Sequence, residues 1–165
     1  MDITNMVYYD KSSKTMLRWK ISESTKIRKD MQAGRICSTS GYGRITWRGS
    51  TEYIHNVVWK LFHGNVPENH VVDHIDLDKS NNSIDNLRVC TIAENNRNTA
   101  IKSTNKTGVK GLFWDKYNNC WRGTVTINGK VHYKRSKDFH VLEAWIAEMR
   151  ESLHGEFCNH GAVPD

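Results

Sequence analysis

The apolar positions Ile54, Val57, Val58, Leu61 and Phe62 fall at i, i+3, i+4, i+7 and i+8, which predicts a short amphipathic helix over Tyr53–Phe62. Gly64 and Pro67 end it. Residues 70–75 form a short apolar run holding an Asp-His doublet and predict a buried strand, and Asn86–Thr91 predicts a second. The polar stretch Asp76–Asp85 joins them as a long loop. Thr91 is a good N-cap, and Glu94 three residues on completes a capping box for a helix through about Thr99. The local order is therefore strand, long polar loop, strand, helix.

On either side the pattern shortens and becomes β-like. Upstream, Met6–Tyr9, Met16–Ile21 and Gly43–Trp47 are strand candidates, the last following the turn-prone Ser40-Gly41-Tyr42-Gly43. Downstream of the polar Ile101–Thr107, strands are predicted at 109–114, 120–127 and 130–135, with Asn128-Gly129 as a hairpin turn between the last two. A helix over 138–154 carries Leu142, Trp145, Met149 and Leu153 on one face and stops at Gly155. These elements predict an α+β protein: a basic β-rich arm at 1–52, a core at 53–100, a linker at 101–107, a small sheet-and-helix domain at 108–157 and a loose tail at 158–165.

Composition narrows the class without deciding it. With 38% hydrophobic and 25% charged residues in 165, the chain reads as an ordinary globular protein. No run approaches the roughly eighteen apolar residues of a membrane span, and Met1–Asp10 lacks the features of a secretory leader, so a cytoplasmic protein is expected. The four cysteines include no CxxC pair, so no structural zinc is expected, and their wide spacing favours thiols over disulfides.

Charge changes the picture more. The net charge is +6, but residues 1–50 hold ten Lys/Arg against four Asp/Glu, residues 51–100 four against seven, and residues 101–137 nine against one. Two basic flanks around an acidic middle suit phosphate neutralisation outside and a divalent cation inside. A basic surface with no such partner is the plainer alternative.

The acidic middle carries the chemistry. Phosphodiester hydrolysis needs a general base near neutral pKa, for which histidine is suited, and a hard cation to neutralise charge on the phosphoryl oxygens. Val72-Asp73-His74-Ile75-Asp76 offers both partners. Adjacent strand residues point to opposite faces, so Asp73 and His74 serve different partners. The helix after Thr91 brings Asn95 as an amide donor to the metal of Asp73, while His74 addresses the water. Asp76 and Asp78 are read as solvated loop carboxylates, His55 and His63 as structural residues flanking the core helix, and Arg97 as either a phosphate contact or a solvated helix residue.

The pattern Asp73-His74-Ile75-Asp76, Asn81-Asn82, Asp85-Asn86-Leu87-Arg88 and Glu94-Asn95-Asn96 resembles the HNH nucleases, in the variety found in phage and intron-encoded homing endonucleases. The preceding His55–Phe62 segment resembles the helix that leads into that motif. The resemblance implies a ββα-metal fold, with Asp73 and Asn95 as ligands to one Mg²⁺ or Mn²⁺ ion, His74 as general base and Asn86 holding its ring. It also implies double-stranded DNA as the substrate. One centre per chain implies nicking by a monomer.

In the C-terminal segment, alternation predicts that Trp121, Gly123, Val125 and Ile127 face the helix, with Arg122, Thr124 and Thr126 outward. Lys110, Leu112, Trp114, Lys130, His132 and Lys134 are expected to join the outward face, an array suited to phosphate and base contacts. Thr107-Gly108-Val109-Lys110-Gly111-Leu112-Phe113-Trp114-Asp115 and Trp121-Arg122-Gly123-Thr124-Val125 resemble the AP2 domain, a three-stranded sheet backed by one helix that reads DNA. Thr124 and Thr126 stand where plant-type AP2 domains carry charged readers. A nonspecific HNH nuclease, and a DNA-binding regulator with an inactive nuclease fold, are the competing readings.

Overall fold

The computed structural model describes residues 2–97, 99, 101, 103–127 and 129–154. The chain divides into two compact units, Met1–Ile92 and Ala93–Asp165.

The first unit opens with a single 3₁₀ turn, Ile3–Asn5, in which the Asp2 carboxylate accepts the Thr4 N–H at 3.1 Å. Two short strands follow, β1 (Val7–Tyr9) and β2 (Leu17–Trp19), paired antiparallel with Val7 opposite Trp19. A three-stranded antiparallel sheet comes next, in the order β3 (Arg35–Ile36), β4 (Gly43–Trp47), β5 (Ser50–Tyr53). In β4 the alternation is strict: Gly43, Ile45 and Trp47 are buried, while Arg44 and Thr46 face water. Arg48 and Gly49 make the tight β4–β5 turn with φ of 47° and 83°, as a two-residue hairpin with a right-handed twist requires.

Helix α1 (Ile54–His63) begins at the residue after β5, with Tyr53 as its extended N-cap, and ends where the Gly64 N–H bonds the Lys60 carbonyl at 3.1 Å. Strands β6 (His70–His74) and β7 (Leu87–Thr91) then form an antiparallel pair with Asp73 opposite Arg88 and His74 opposite Leu87. A 3₁₀ turn, Ile84–Asn86, closes the connecting loop. The strand, loop and strand expected from the sequence are thus present. The helix before them is present one residue further on, and of the three upstream strands Gly43–Trp47 is unchanged while Met6–Tyr9 and Met16–Ile21 shorten to Val7–Tyr9 and Leu17–Trp19.

One apolar cluster holds this unit together. Val7, Leu17, Trp19, Ala33, Ile45 and Trp47 pack with Ile54, Val57 and Val58 of α1 and with Val72 and Leu87 of the β6–β7 pair. Each large aliphatic side chain so buried contributes roughly 1.5–3 kcal/mol. The basic N-terminal segment is therefore not a detached arm: its apolar side chains supply half the core on which the later hairpin rests.

The second unit contains β8 (Leu112–Asp115), β9 (Cys120–Ile127) and β10 (Lys130–Ser136) in the antiparallel order β10-β9-β8, with α3 (Phe139–His154) against one face. Leu112, Val125, Leu142 and Ile146 are its buried core. Gly123 lets α3 come close, since a Cβ there would lie 3.2 Å from Ile146 Cδ1 and from Trp145 Cζ3. The short helix α2 (Ile92–Arg97) stands at the division of the two units. Asn128, the side chain of Leu153, Gly155, the tail and Cys158 lie outside the described residues. Among the described residues no disulfide joins Cys37, Cys90 and Cys120 to one another. No helix among the described residues is long and apolar enough to cross a membrane.

Gly34 is a position where only glycine serves. Its φ is +80°, and a Cβ would stand 2.7 Å from the Arg44 carbonyl oxygen and 2.9 Å from Ile54 Cδ1. Gly34→Ala should therefore destabilise the first unit by roughly 2–3 kcal/mol through backbone strain and overpacking, measured as the shift of the urea unfolding midpoint. A midpoint unchanged from wild type would contradict this packing.

Candidate active site

Asp73 and His74 close strand β6, and both side chains are buried, at 7% and 5% exposure. Pairing puts Asp73 directly across from Arg88, and the guanidinium donates to Asp73 Oδ2 from both Nε and Nη2 at 3.1 Å. His74 serves other partners. Its Nε2 faces Asn82 Oδ1 at 3.3 Å, and its ring meets the His55 ring edge-on at 4.9 Å between centroids.

The hydrogen bond to the ring differs from the expectation. Asn86 was expected to hold His74, but Asn82 does so. Asn82 is fully buried, and its Nδ2 donates to the Ser80 carbonyl at 2.9 Å. The Ile84–Asn86 turn carries Asn86 onto the loop instead: its Oδ1 accepts the Asp76 N–H at 3.1 Å and its Nδ2 donates to Asp76 Oδ1 at 2.9 Å. Asp76 and Asp78 are occupied in organising that loop, Asp76 accepting from Asp78 N–H and Asn81 Nδ2, and Asp78 from Ser80. The signal for Asn82 was present, as one member of a doublet in a polar loop, but nothing local told it from Asn81 or Asn86.

The surroundings set the protonation of both rings. Burial lowers the His74 pKa below the ordinary histidine value, opposed by the Asn82 bond and by the Asp76, Asp73 and Asp78 charges. His74 is thus neutral near pH 7. A carbonyl oxygen at Nε2 asks for the proton there, which leaves the lone pair on Nδ1. His55 is shifted further, to about 3, by burial and then by His74. It is 7% exposed, its Nδ1 has no hydrogen-bond partner among the described residues, and it stacks on Tyr53 at 5.4 Å. The sequence reading gave His55 a structural role only; its position 3.6-periodic with the buried face of α1 hid its contact with His74.

As a cation site, the hairpin offers one carboxylate among asparagine amides. Among the described residues no three His, Cys, Asp or Glu side chains converge closely enough to hold a metal ion. Carboxylate and amide oxygens are hard donors that suit Mg²⁺ or Mn²⁺. Arg88 already neutralises Asp73 Oδ2, so a cation there would share or displace that pairing. Asn95, the second expected donor, lies on α2 and is half-buried; the side chain of Arg97 is outside the described residues.

The second unit corrects the expected sheet face. Arg122, Thr124 and Thr126 do lie opposite the helix side, but the flanking strands are offset by one residue from the expectation. The register sets Leu112 against Gly123, Trp114 against Trp121, and Lys134, His132 and Lys130 against Gly123, Val125 and Ile127. Directly paired residues share a face, so Leu112, Trp114, Lys130, His132 and Lys134 belong to the α3 side. Leu112 is in the core, and Trp114 meets Trp121 edge-on at 5.0 Å. Lys110 precedes β8, where its carbonyl accepts from Arg150 and its ammonium bonds the Thr99 carbonyl. The open face carries Phe113, Val131, Tyr133 and Arg135 beside Arg122 instead. Arg122 lies 6.0 Å from the Phe113 ring and 4.9 Å from the Tyr133 ring, and Phe113, Val131 and Tyr133 are exposed.

The buried Asp-His doublet on an antiparallel hairpin lies within residues 52–97, which match the HNH endonuclease family; the chain carries an HNH endonuclease domain. It belongs to the same family as Protein 3.8 of Escherichia phage T7, with 43% identity over 103 residues, 62% of this chain and 85% of that protein. It is also similar to a protein of Acanthamoeba polyphaga mimivirus named "Uncharacterized HNH endonuclease L560", at 34% identity over 106 residues. That match takes in 63% of this chain and 54% of the mimivirus protein's length. No solved structure matches the chain.

The His55 pKa of about 3 lies below its unfolded value of 6.5, so folding favours the neutral ring. That contribution is complete above pH 6.5 and is lost as pH falls towards 3, at up to about 1.4 kcal/mol per pH unit. The lowered pKa of His74 acts in the same direction. Urea unfolding between neutral and mildly acidic pH should show this loss, and His55→Gln should flatten the slope by roughly one proton. An unchanged slope in the variant would remove His55 as its source.

Proposed function

We propose that this protein is a metal-dependent HNH endonuclease that hydrolyses a phosphodiester bond of double-stranded DNA. The observation that carries the reading is the neutral, buried His74, fixed through Nε2 by Asn82 and adjacent in sequence to the carboxylate of Asp73. A base of this kind takes a proton at Nδ1 from the attacking water as the new P–O bond forms. The bond to the leaving 3′-oxygen breaks and that oxygen takes a proton from solvent water, giving 5′-phosphate and 3′-hydroxyl ends. When bound, a divalent cation neutralises charge on the phosphoryl oxygens. Asp73 is the residue of the first unit we assign to hold it, with Arg88 orienting that carboxylate until then. Asn95 keeps its assignment as a further donor on the sequence pattern alone. Asn82 is a positioning residue, and His55 confines the ring from the other side.

The finer reading is a site-recognising, homing-type enzyme. Its support is the second unit, a three-stranded antiparallel sheet with one helix, which we read as an AP2-like DNA-reading module. Aromatic rings flanking an arginine on an open sheet face suit stacking and cation contacts with nucleic acid. A nonspecific nuclease would use the same catalytic residues without site preference.

Supercoiled plasmid incubated with Mg²⁺ or Mn²⁺ should be converted to open circles. EDTA should abolish the conversion, and His74→Ala should slow it by roughly 10²-fold or more. DNA binding without cutting, under either metal, would sink the enzyme reading and favour a regulator.

On the second unit, Tyr133→Ala and Arg122→Ala should each weaken duplex binding by about 1 kcal/mol, roughly fivefold in Kd. Lys134→Ala, on the opposite face, should have a smaller effect. The reverse ranking, in a fluorescence-anisotropy titration, would return the interface to the lysine-bearing side.

A further inference from the structure

Many cations of the first unit are neutralised locally. Lys11 pairs with Asp85, Arg18 with Asp10, Arg48 with Glu23, Lys60 with Glu52 and Arg88 with Asp73. Lys14, Lys20, Arg28, Lys29 and Lys79 have no such pair among the described residues, and nor do Lys26, Arg35 and Arg44, which differ from them in sharing one cleft. All three line a single cleft of about 750 Å³ beside β3 and β4, together with Trp19, Cys37 and Thr46, and no Asp or Glu is in its lining. Side chains of one sign around a concave surface focus their field and draw a polyanion to it.

A relay of ring contacts links the cleft, through Arg44, to the candidate catalytic residues. Arg44 lies over the Tyr53 ring at 5.3 Å, Tyr53 stacks on His55 at 5.4 Å, and His55 meets His74 at 4.9 Å. A phosphodiester chain approaching His74 past Tyr53 therefore has Arg44 next to it, and Arg35 and Lys26 beyond.

We propose that this cleft seats the phosphate backbone of the DNA strand that flanks the scissile bond. The identity of the polyanion rests on the nuclease reading; the cleft and its unpaired cations do not. The open sheet face of the second unit is then not the sole DNA contact, and the first unit carries a contact of its own. Backbone contacts of this kind add affinity with a steep salt dependence and little sequence information.

Two measurements test it. Cys37 lines the same cleft, is partly exposed, and has its thiol pKa lowered to about 7, chiefly by the polar groups of the neighbouring Ser40 and Thr39. It should react readily with iodoacetamide near neutral pH. A short duplex, added with EDTA so that nothing is cut, should slow Cys37 alkylation several-fold as read by mass spectrometry. An unchanged rate at saturating duplex overturns the proposal. Second, the triple variant Lys26→Gln, Arg35→Gln, Arg44→Gln should bind duplex roughly tenfold or more weakly at low salt, with a salt slope reduced by about two to three. The triple Lys14→Gln, Lys20→Gln, Lys29→Gln changes net charge equally but lies outside the cleft lining. Indistinguishable triples also overturn it. Absence of nicking with Cys37 protected would fell the nuclease reading and leave the cleft standing; nicking with Cys37 unprotected would do the opposite.

Discussion

A fully buried asparagine ties the chemistry of this protein to its core. Asn82 is fully shut off from bulk solvent, and an unsatisfied buried amide costs about 1–3 kcal/mol per lost partner. Its carbonyl therefore meets the His74 ring and its amide the Ser80 carbonyl. The space it fills exists because position 43 has no side chain: a Cβ on Gly43 would stand 3.2 Å from Asn82 Nδ2 and 2.9 Å from Ile54 Cδ1. The orientation of one imidazole thus depends on a missing methyl group in β4, on the start of α1 and on a loop that closes from the far end of β6. Local stability and the tautomer of His74 are two outcomes of one packing arrangement.

Where a pattern is decided within a few residues, the sequence spoke clearly. The helical spacing of Ile54, Val57, Val58 and Leu61, the strands at Val72 and Val89, and the alternation along β9 all reappear in the structure. What failed depended on relations between segments. Alternation within β9 fixed the faces of Arg122 and Thr124, but the faces of β8 and β10 depend on pairing register, and a shift of one residue exchanges the two sides. The helix-side placement of Leu112 in the core is the physical reason that register won. Choosing between Asn82 and Asn86 required the path of a loop built from Asp76, Asp78 and Ser80 bonds, which no periodicity encodes.

Charge was legible in amount but not in arrangement. The sequence showed basic flanks, and the N-terminal one was expected as an arm. The structure makes that segment part of the core, ties some of its cations to local carboxylates and gathers three of the unpaired ones around the cleft. Asp73 shows the opposite case: a carboxylate in an acidic stretch, yet held by a guanidinium from the neighbouring strand. Net charge by segment describes what is attracted from a distance, whereas pairing decides which groups remain available to meet it.

The junction at Tyr53 and Ile54 has no connecting residues: β5 ends and α1 begins at once. Strand and helix are therefore phase-locked. Adding or deleting one residue there would rotate every side chain of α1 by about 100° about its axis. His55 would leave His74, and Val57 would leave the core. Length variation among chains of this architecture should accordingly collect in joints with slack, such as the stretch between Gly64 and Asn69, and be purged from this one. The junction works as a gear tooth, carrying the twist of a small sheet into the placement of a single ring.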